Sequence, residues 1–460
     1  MNQPLTNAQT RDIEALLHPY ANPAALRATG AHVIVRGEGV RVFDDKGRPF
    51  IEGMSGLWCC GLGFGNEALV EAATQQMRDL PYYHLFSGKS HEPAVELAER
   101  IKALAPGNMA RVFYQSSGSE ANESQIKLAW YYNNAKGRPE KKKIISRKKG
   151  YHGVTIVSAS MTGLPYNHQD FDLPVDRIKH TSTPHFWREA HAGETEGEFS
   201  ARLAAELEAL ILEEGPDTVA AFIAEPVMGA GGVIVPPEGY FEAIMPVLHR
   251  HDILCISDEV ICGFGRTGSW FGAQTLGMEP TSLSMAKQLT NGFLPLSAVA
   301  INADMAEVIE ENAARIGVLG HGFTYGGHPV GCAVGVRALD IYQDMDIPSV
   351  VSRIAPVFAA HLDRLAGHPL VGEARHLGLV GALEMTPGDT PKPFATPGKI
   401  GPMLAAELLN HGVITRAIGD SLSFCPPMII TEEELDEMFA PMETVLDTVL
   451  AKATADGLMA

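Results

Sequence analysis

The sequence predicts an α/β protein, a large domain on a mostly parallel sheet with a smaller α+β domain beside it. Three observations lead there. Short apolar runs alternate with helical stripes through the middle of the chain, the mark of βαβ units. Glycine and proline are abundant, at 46 and 30 residues, which suits the many junctions such units need. The 460 residues exceed one compact core, and length alone allows about two or three domains.

Composition narrows the class. Apolar residues make up 45% and charged residues 20%, which excludes a wholly disordered or fibrous chain. Lys and Arg number 36 against 55 Asp and Glu, a net charge of −19 that opposes binding to nucleic acid or an anionic membrane. Neither is expected as a partner.

The elements follow in order. A short helix precedes strands over 31–37, 40–44 and 49–54, with Asp45, Lys46 and Gly47 turning between the second and third. Apolar residues at 94, 95, 97, 98, 101 and 104 make Glu92–Leu104 a helix. A strand over 111–114 leads into a helix over 119–134. Further strands are expected over 144–146, 154–158, 219–224, 253–257 and 297–301. Near the end, Thr431 caps a helix whose first turn is three glutamates, complementing the helix dipole. An apolar stripe from Leu435 to Leu450 continues it, with a kink expected at Pro441. Residues 1–75 and 336–460 are read as two parts of the small domain around a large domain over 76–335.

The opening residues Met1 to Thr6 carry neither a basic n-region nor an apolar h-region, so no signal peptide is expected. The apolar stretches fall short of a membrane span. The six cysteines show no C-x-x-C spacing, and reduced thiols in a cytoplasm are the expectation.

Three segments carry chemistry. Tyr114 to Asn122 ends a strand, turns at Gly118 and opens a helix at Ser119, with capping-box spacing between Ser117 and Glu120. Such a helix start presents free N–H groups that hold a phosphate, or is simply a well-capped helix. An apolar strand from Ile253 delivers Asp258 at its carboxyl end, where open α/β sheets bind ligands. A carboxylate there either pairs with a protonated ring nitrogen or caps a loop. Lys287 is the only cation between Arg266 and Arg315 and sits among apolar and small residues. Free lysine titrates near ~10.4, so a nucleophilic lysine needs desolvation or a Schiff base.

Two patterns are set aside. Gly263 to Gly268 matches G-x-G-x-x-G but lacks the strand immediately before it, the helix after it and the acid about twenty residues on, where Gln288 stands. The eight Lys and Arg between Lys136 and Lys149 lack aromatic interleaving, so a solvated helix-to-strand loop is expected there. The histidines lack ligand spacing, and no metal site is expected.

Taken together, a phosphate-binding turn, a strand-end aspartate and an isolated lysine are the parts of a pyridoxal phosphate site. The chain closely resembles the class III (omega) aminotransferases of pyridoxal phosphate fold type I, from Leu17-His-Pro19 to the last helix. The resemblance rests on Gly53 to Trp58, Ser117 to Asn122, Tyr151-His-Gly153, Glu225-Pro226, Asp258-Glu-Val260, Gly263 to Gly268, Ala286-Lys287 with Leu289 to Gly292, Phe323-Thr-Tyr325 and Gly327-His-Pro329. It implies that Lys287 is the Schiff-base lysine and proton carrier, and that Asp258 keeps the pyridine nitrogen protonated. It implies Gly118 and Ser119 on the phosphate, completed by Phe323 and Thr324 of a neighbouring subunit. Tyr151 and Val260 would sandwich the ring, with Glu225 and His152 in support. A site finished by a second chain implies a homodimer or a dimer of dimers.

The chain departs from the family at Gln288, where Gly is usual, at Gly326, where Ser is common, and at Met228, where Gln is common. The expected reaction moves an amino group from an omega-amino acid or amine to a keto acid, pyruvate foremost. Epimerase, aminomutase or decarboxylase chemistry on the same fold is the alternative, and a non-catalytic scaffold would need the lysine or aspartate lost. The substrate pocket is expected from Leu57, Trp58, Tyr151 and Ala230, with Phe86 reaching in from the partner and Arg416 as a mobile carboxylate-binding arginine.

Overall fold

The computed structural model describes residues 5–388 and 390–459; residues 1–4, on which the reading of the chain start partly rests, lie outside them. At its centre is a seven-stranded sheet in the spatial order Met109–Gln115, Ser297–Asn302, Ser282–Met285, Leu254–Asp258, Val219–Ala224, Lys143–Arg147 and Ile178–Thr181. Only Ser297–Asn302 runs against its two neighbours. The rest of the sheet is parallel, as the alternation of strands and helices predicts.

Both faces of this sheet are covered, which explains why its strands read as continuous apolar runs rather than alternating ones. All six residues of Val219–Ala224 are buried. Phe222 packs with Phe199, Leu207, Phe241 and Leu248 from helices Glu196–Glu214 and Tyr240–Arg250. Ile223 packs with Ile126, Ala129 and Ile309 from helices Gly118–Ala135 and Ala303–Ile316 on the other face.

Two four-stranded sheets flank the centre. One joins Ile34–Glu38, Arg41–Asp44 and Pro49–Glu52 to Val413–Ile414, so the two ends of the chain share a sheet. The other is antiparallel, in the order Val371–Leu377, Val380–Met385, Ser421–Phe424 and Arg416–Ile418.

Several expectations change. Residues 154–158, read as a strand from Val154, Thr155, Ile156 and Val157, are the entry to a helix, Ile156–Met161. Thr155 and Ser158 form a capping box there, and that local hydrogen bonding outweighs the β preference of the branched residues. Strands Ile178–Thr181 and Ser282–Met285 went unread because each has four residues and carries polar side chains. The final stripe is two helices, Glu432–Phe439 and Met442–Ala455, with Pro441 capping the second rather than kinking one. The basic run is a solvated helix-to-strand loop only in part: Lys136, Pro139 and Glu140 are exposed, but a strand begins at Lys143. Arg147 is fully buried, and Lys141 donates from Nζ to the carbonyls of His251 at 3.0 Å and Asp252 at 2.6 Å.

Candidate active site

The carboxyl ends of the central strands open on a cavity of about 2070 Å³. Leu254–Asp258 delivers Asp258 to it, and Ser282–Met285 delivers Lys287 two residues beyond its end. Both side chains line the cavity, as do Leu57, Trp58, Gly118, Ser119, Tyr151, His152, Glu225, Ala230, Val260 and Arg416.

Asp258 is held from three sides. Its Oδ2 accepts from Asn122 Nδ2 at 2.7 Å and lies 2.8 Å from His152 Nδ1, and its Oδ1 accepts the Val260 N–H at 3.2 Å. Asn122 also donates to the His152 carbonyl at 2.8 Å, tying helix Gly118–Ala135 to the segment carrying Tyr151. Glu225 accepts the Tyr151 N–H at 3.0 Å on one oxygen and the Gly229 N–H at 2.9 Å on the other. It thereby fixes the backbone beside Tyr151 and Ala230 together. Burial pushes the Glu225 carboxyl up from its ordinary range.

Lys287 is enclosed, and burial holds its ammonium below the usual lysine range against the opposing pull of Cys59, Asp258 and Glu225. Its amine makes no hydrogen bond or ion pair among the described residues. The start of helix Gly118–Ala135 lies opposite. Ser117 Oγ accepts the Glu120 N–H at 3.2 Å, but the Glu120 carboxylate reaches the Ser116 N–H at 2.7 Å, one residue short of a full capping box. A Cβ on Gly118 would come within 3.2 Å of both Val260 methyl groups, so a side chain there would push into the cavity wall.

The outer wall begins at a strained turn. Ser55, Gly56 and Trp58 all adopt positive φ, at 50°, 69° and 65°. Trp58 is 1% exposed and packs with Met54, Val227, Val233 and Ile261, so it is core residue and cavity wall at once. Leu57, 55% exposed, lies at the cavity's rim. Tyr20 and Tyr166 also line the cavity, edge to face at 6.1 Å, and were not legible in the sequence. Asn122 lies in a quoted motif, yet nothing local marks it as a partner of Asp258.

Phe86, Phe323 and Thr324 do not line this cavity. They gather elsewhere. Tyr82 donates to the Thr324 carbonyl at 2.9 Å, and a Cβ on Gly322 would lie 2.9 Å from the Phe86 ring. Phe86 is 46% exposed, beside exposed Tyr82, Tyr83 and Tyr325. Gly326 has a local reason: a Cβ there would come 2.5 Å from the Tyr114 carbonyl oxygen.

A family model described as aminotransferase class-III matches residues 24–446. The chain is 48% identical to gamma aminobutyrate transaminase 3, chloroplastic, of Solanum lycopersicum over 88% of its length and 78% of that protein. It is 47% identical to vanillin aminotransferase of Capsicum annuum over 88% and 89%. The crystal structure of the omega transaminase from Pseudomonas jessenii in complex with PMP superposes with a TM-score of 0.95 at 47% identity, covering 97% of this chain and 99% of that one.

Proposed function

This chain belongs to the class III aminotransferases, and from that premise we propose that it is an omega transaminase moving an amino group from an omega-amino acid or amine to a keto acid, pyruvate foremost. The single observation that carries this reading is the pairing of an enclosed, unpartnered Lys287 with a triply held Asp258 on one cavity.

The residues present fit pyridoxal phosphate. Gly118 and Ser119 offer helix-start N–H groups for its phosphate, Val260 and Tyr151 supply walls for its ring, and Asp258 supplies a carboxylate for its ring nitrogen. When bound, the cofactor supplies an aldehyde carbon for the donor amine and a protonated ring that takes up the electrons of a broken C–H bond.

The chain's own part is positioning and proton movement. Burial favours the neutral Lys287 amine, which can then take a proton from the donor carbon and return it. Asp258 cannot turn away, because Asn122, His152 and the Val260 N–H hold both its oxygens. Glu225 holds Tyr151 and the turn at Ala230 in register, and Trp58 closes the outer wall against water. The Arg416 guanidinium lines the cavity with no hydrogen bond or ion pair among the described residues, which supports its reading as a movable carboxylate clamp.

Exposed Phe86 and Thr324, with half-buried Phe323 near them, support a homodimer in which these residues complete the partner's site. The division at 75 and 335 is proposed as two helical joins, since both positions fall inside helices, Glu67–Asp79 and Pro329–Asp344. Six unpaired cysteines support a reducing compartment, for which we propose the cytoplasm.

The test is a donor panel of 4-aminobutyrate, β-alanine and 1-phenylethylamine against pyruvate and 2-oxoglutarate. Amino transfer that requires a keto acid supports the reading. Turnover of the donor without any acceptor would instead indicate an epimerase, aminomutase or decarboxylase.

A further inference from the structure

We propose that Gln288 is a positioning residue for Lys287, and that position 61 is glycine so that the glutamine can fit. The inference rests on the reading of Lys287 as the reactive lysine.

Lys287 has φ of +47°, a left-handed conformation that a side-chain-bearing residue keeps only where its surroundings over-determine it. Its short turn, Lys287–Thr290, has no side-chain cap. The next residue supplies the restraint. Gln288 is 1% exposed, and its Nε2 donates to the carbonyls of Gly263 at 2.9 Å and Ile261 at 3.2 Å. Its own carbonyl accepts from the Tyr342 hydroxyl at 3.1 Å. Its Oε1 accepts from Arg266 Nη2 at 3.4 Å.

Arg266 extends the link. Its guanidinium is 0% exposed and has no carboxylate at ion-pair distance among the described residues. It donates to the carbonyls of Pro426 at 2.6 Å and Leu379 at 3.0 Å, and to Ser55 Oγ at 3.4 Å. Ser55 opens the strained turn that carries Leu57 and Trp58, and donates to the Cys425 carbonyl at 2.7 Å. A buried chain of hydrogen bonds therefore runs from the residue after the lysine to the outer wall of the cavity.

The space for it is reserved. A Cβ on Gly61 would come 2.5 Å from Gln288 Oε1 and 2.7 Å from Met428 Cε. The amide cannot swing aside without leaving the buried Ile261 and Gly263 carbonyls unpaired, which is costly. Glycine at 61 and glutamine at 288 are one device.

The test compares four variants as holoenzymes: Gln288→Met, which keeps length but cannot donate a hydrogen bond, Gln288→Gly, Gly61→Ala, and Gly61→Ala with Gln288→Gly. Each should lower kcat about tenfold with donor KM changed less than about threefold. Each should also speed the loss of pyridoxal phosphate from diluted holoenzyme, followed by absorbance. The double variant should lose no more than either of its own single variants, because one restraint is removed once. Should Gln288→Met fail to fold, Gly61→Ala carries the test alone. Unchanged kcat and cofactor retention with only a lowered Tm would make Gln288 a packing residue and overturn the proposal, as would losses that multiply in the double variant. Turnover surviving in Lys287→Ala would overturn the reading of the lysine itself; an inactive Lys287→Ala beside a fully active Gln288→Met would overturn this inference alone.

Discussion

Glu52 sits beneath the turn that carries Leu57 and Trp58, and its carboxylate accepts the Gly56 N–H. Burial pushes its carboxyl up to about 8, although the N–H groups of Gly56 and Met54 pull the other way. The native state therefore holds this proton where the unfolded chain has lost it. Stability from Glu52 is fully present below the ordinary glutamate range and falls as pH rises toward about 8. Glu259, pushed up to about 7 by burial, acts in the same sense. Glu52→Gln removes the titration, so its stability should gain on the wild type between pH 5 and 8, by about 1.4 kcal/mol for each pH unit and read as a growing Tm difference, and run parallel above it. Melting curves across that range check this; a constant difference would mean that Glu52 is ionised throughout. At this scale, Asp258 and Lys287 were legible because a charge beside an apolar strand is chemically conspicuous. Glu52, Tyr20 and Asn122 were not: Glu52 owes its raised carboxyl to burial by the rest of the fold, and the partners of Tyr20 and Asn122 lie far along the chain.

Among elements, the break between Val413–Ile414 and Arg416–Ile418 matters most. Residues 413–418 form an apolar stretch long enough for one strand, yet its first half pairs with Pro49–Glu52 and its second with Ser421–Phe424. The chain changes sheets at Thr415, whose hydroxyl donates to the Ser423 carbonyl, and Arg416 is the first residue beyond the change. Arg416–Ile418 is an edge strand of its sheet, and Arg416 at its start lines the cavity. Arg416→Ala should weaken keto-acid turnover by about 1.5–3 kcal/mol, the worth of a hydrogen bond to a charged group, while sparing 1-phenylethylamine deamination in a single turnover. Stopped-flow measurement of each half-reaction checks this, and equal losses in both would make the residue structural. The alternation of strands and helices was legible at this level. The helix at Ile156–Met161 was not, because its capping box is a local device that a run of branched residues conceals.

For the molecule as a whole, five of the seven central strands were legible as apolar runs, while Ile178–Thr181 and Ser282–Met285, short and polar, were not. Phe86, Phe323 and Thr324, which only the family resemblance pointed to, lie away from the cavity of their own chain. If they serve a partner, Lys287→Ala and Thr324→Ala chains, each weak alone, should regain activity when unfolded and refolded together. Random pairing makes half the dimers mixed, each with one intact site, so about a quarter of sites should work. No recovery on mixing would mean that each chain acts by itself. The central claim, that Lys287 and Asp258 run amino transfer on a bound pyridoxal phosphate, is tested most directly by the absorbance of the yellow holoenzyme. Adding 1-phenylethylamine should bleach it, adding pyruvate should restore it, and Lys287→Ala should turn over neither substrate; a spectrum indifferent to amine, or turnover surviving in Lys287→Ala, would contradict the account.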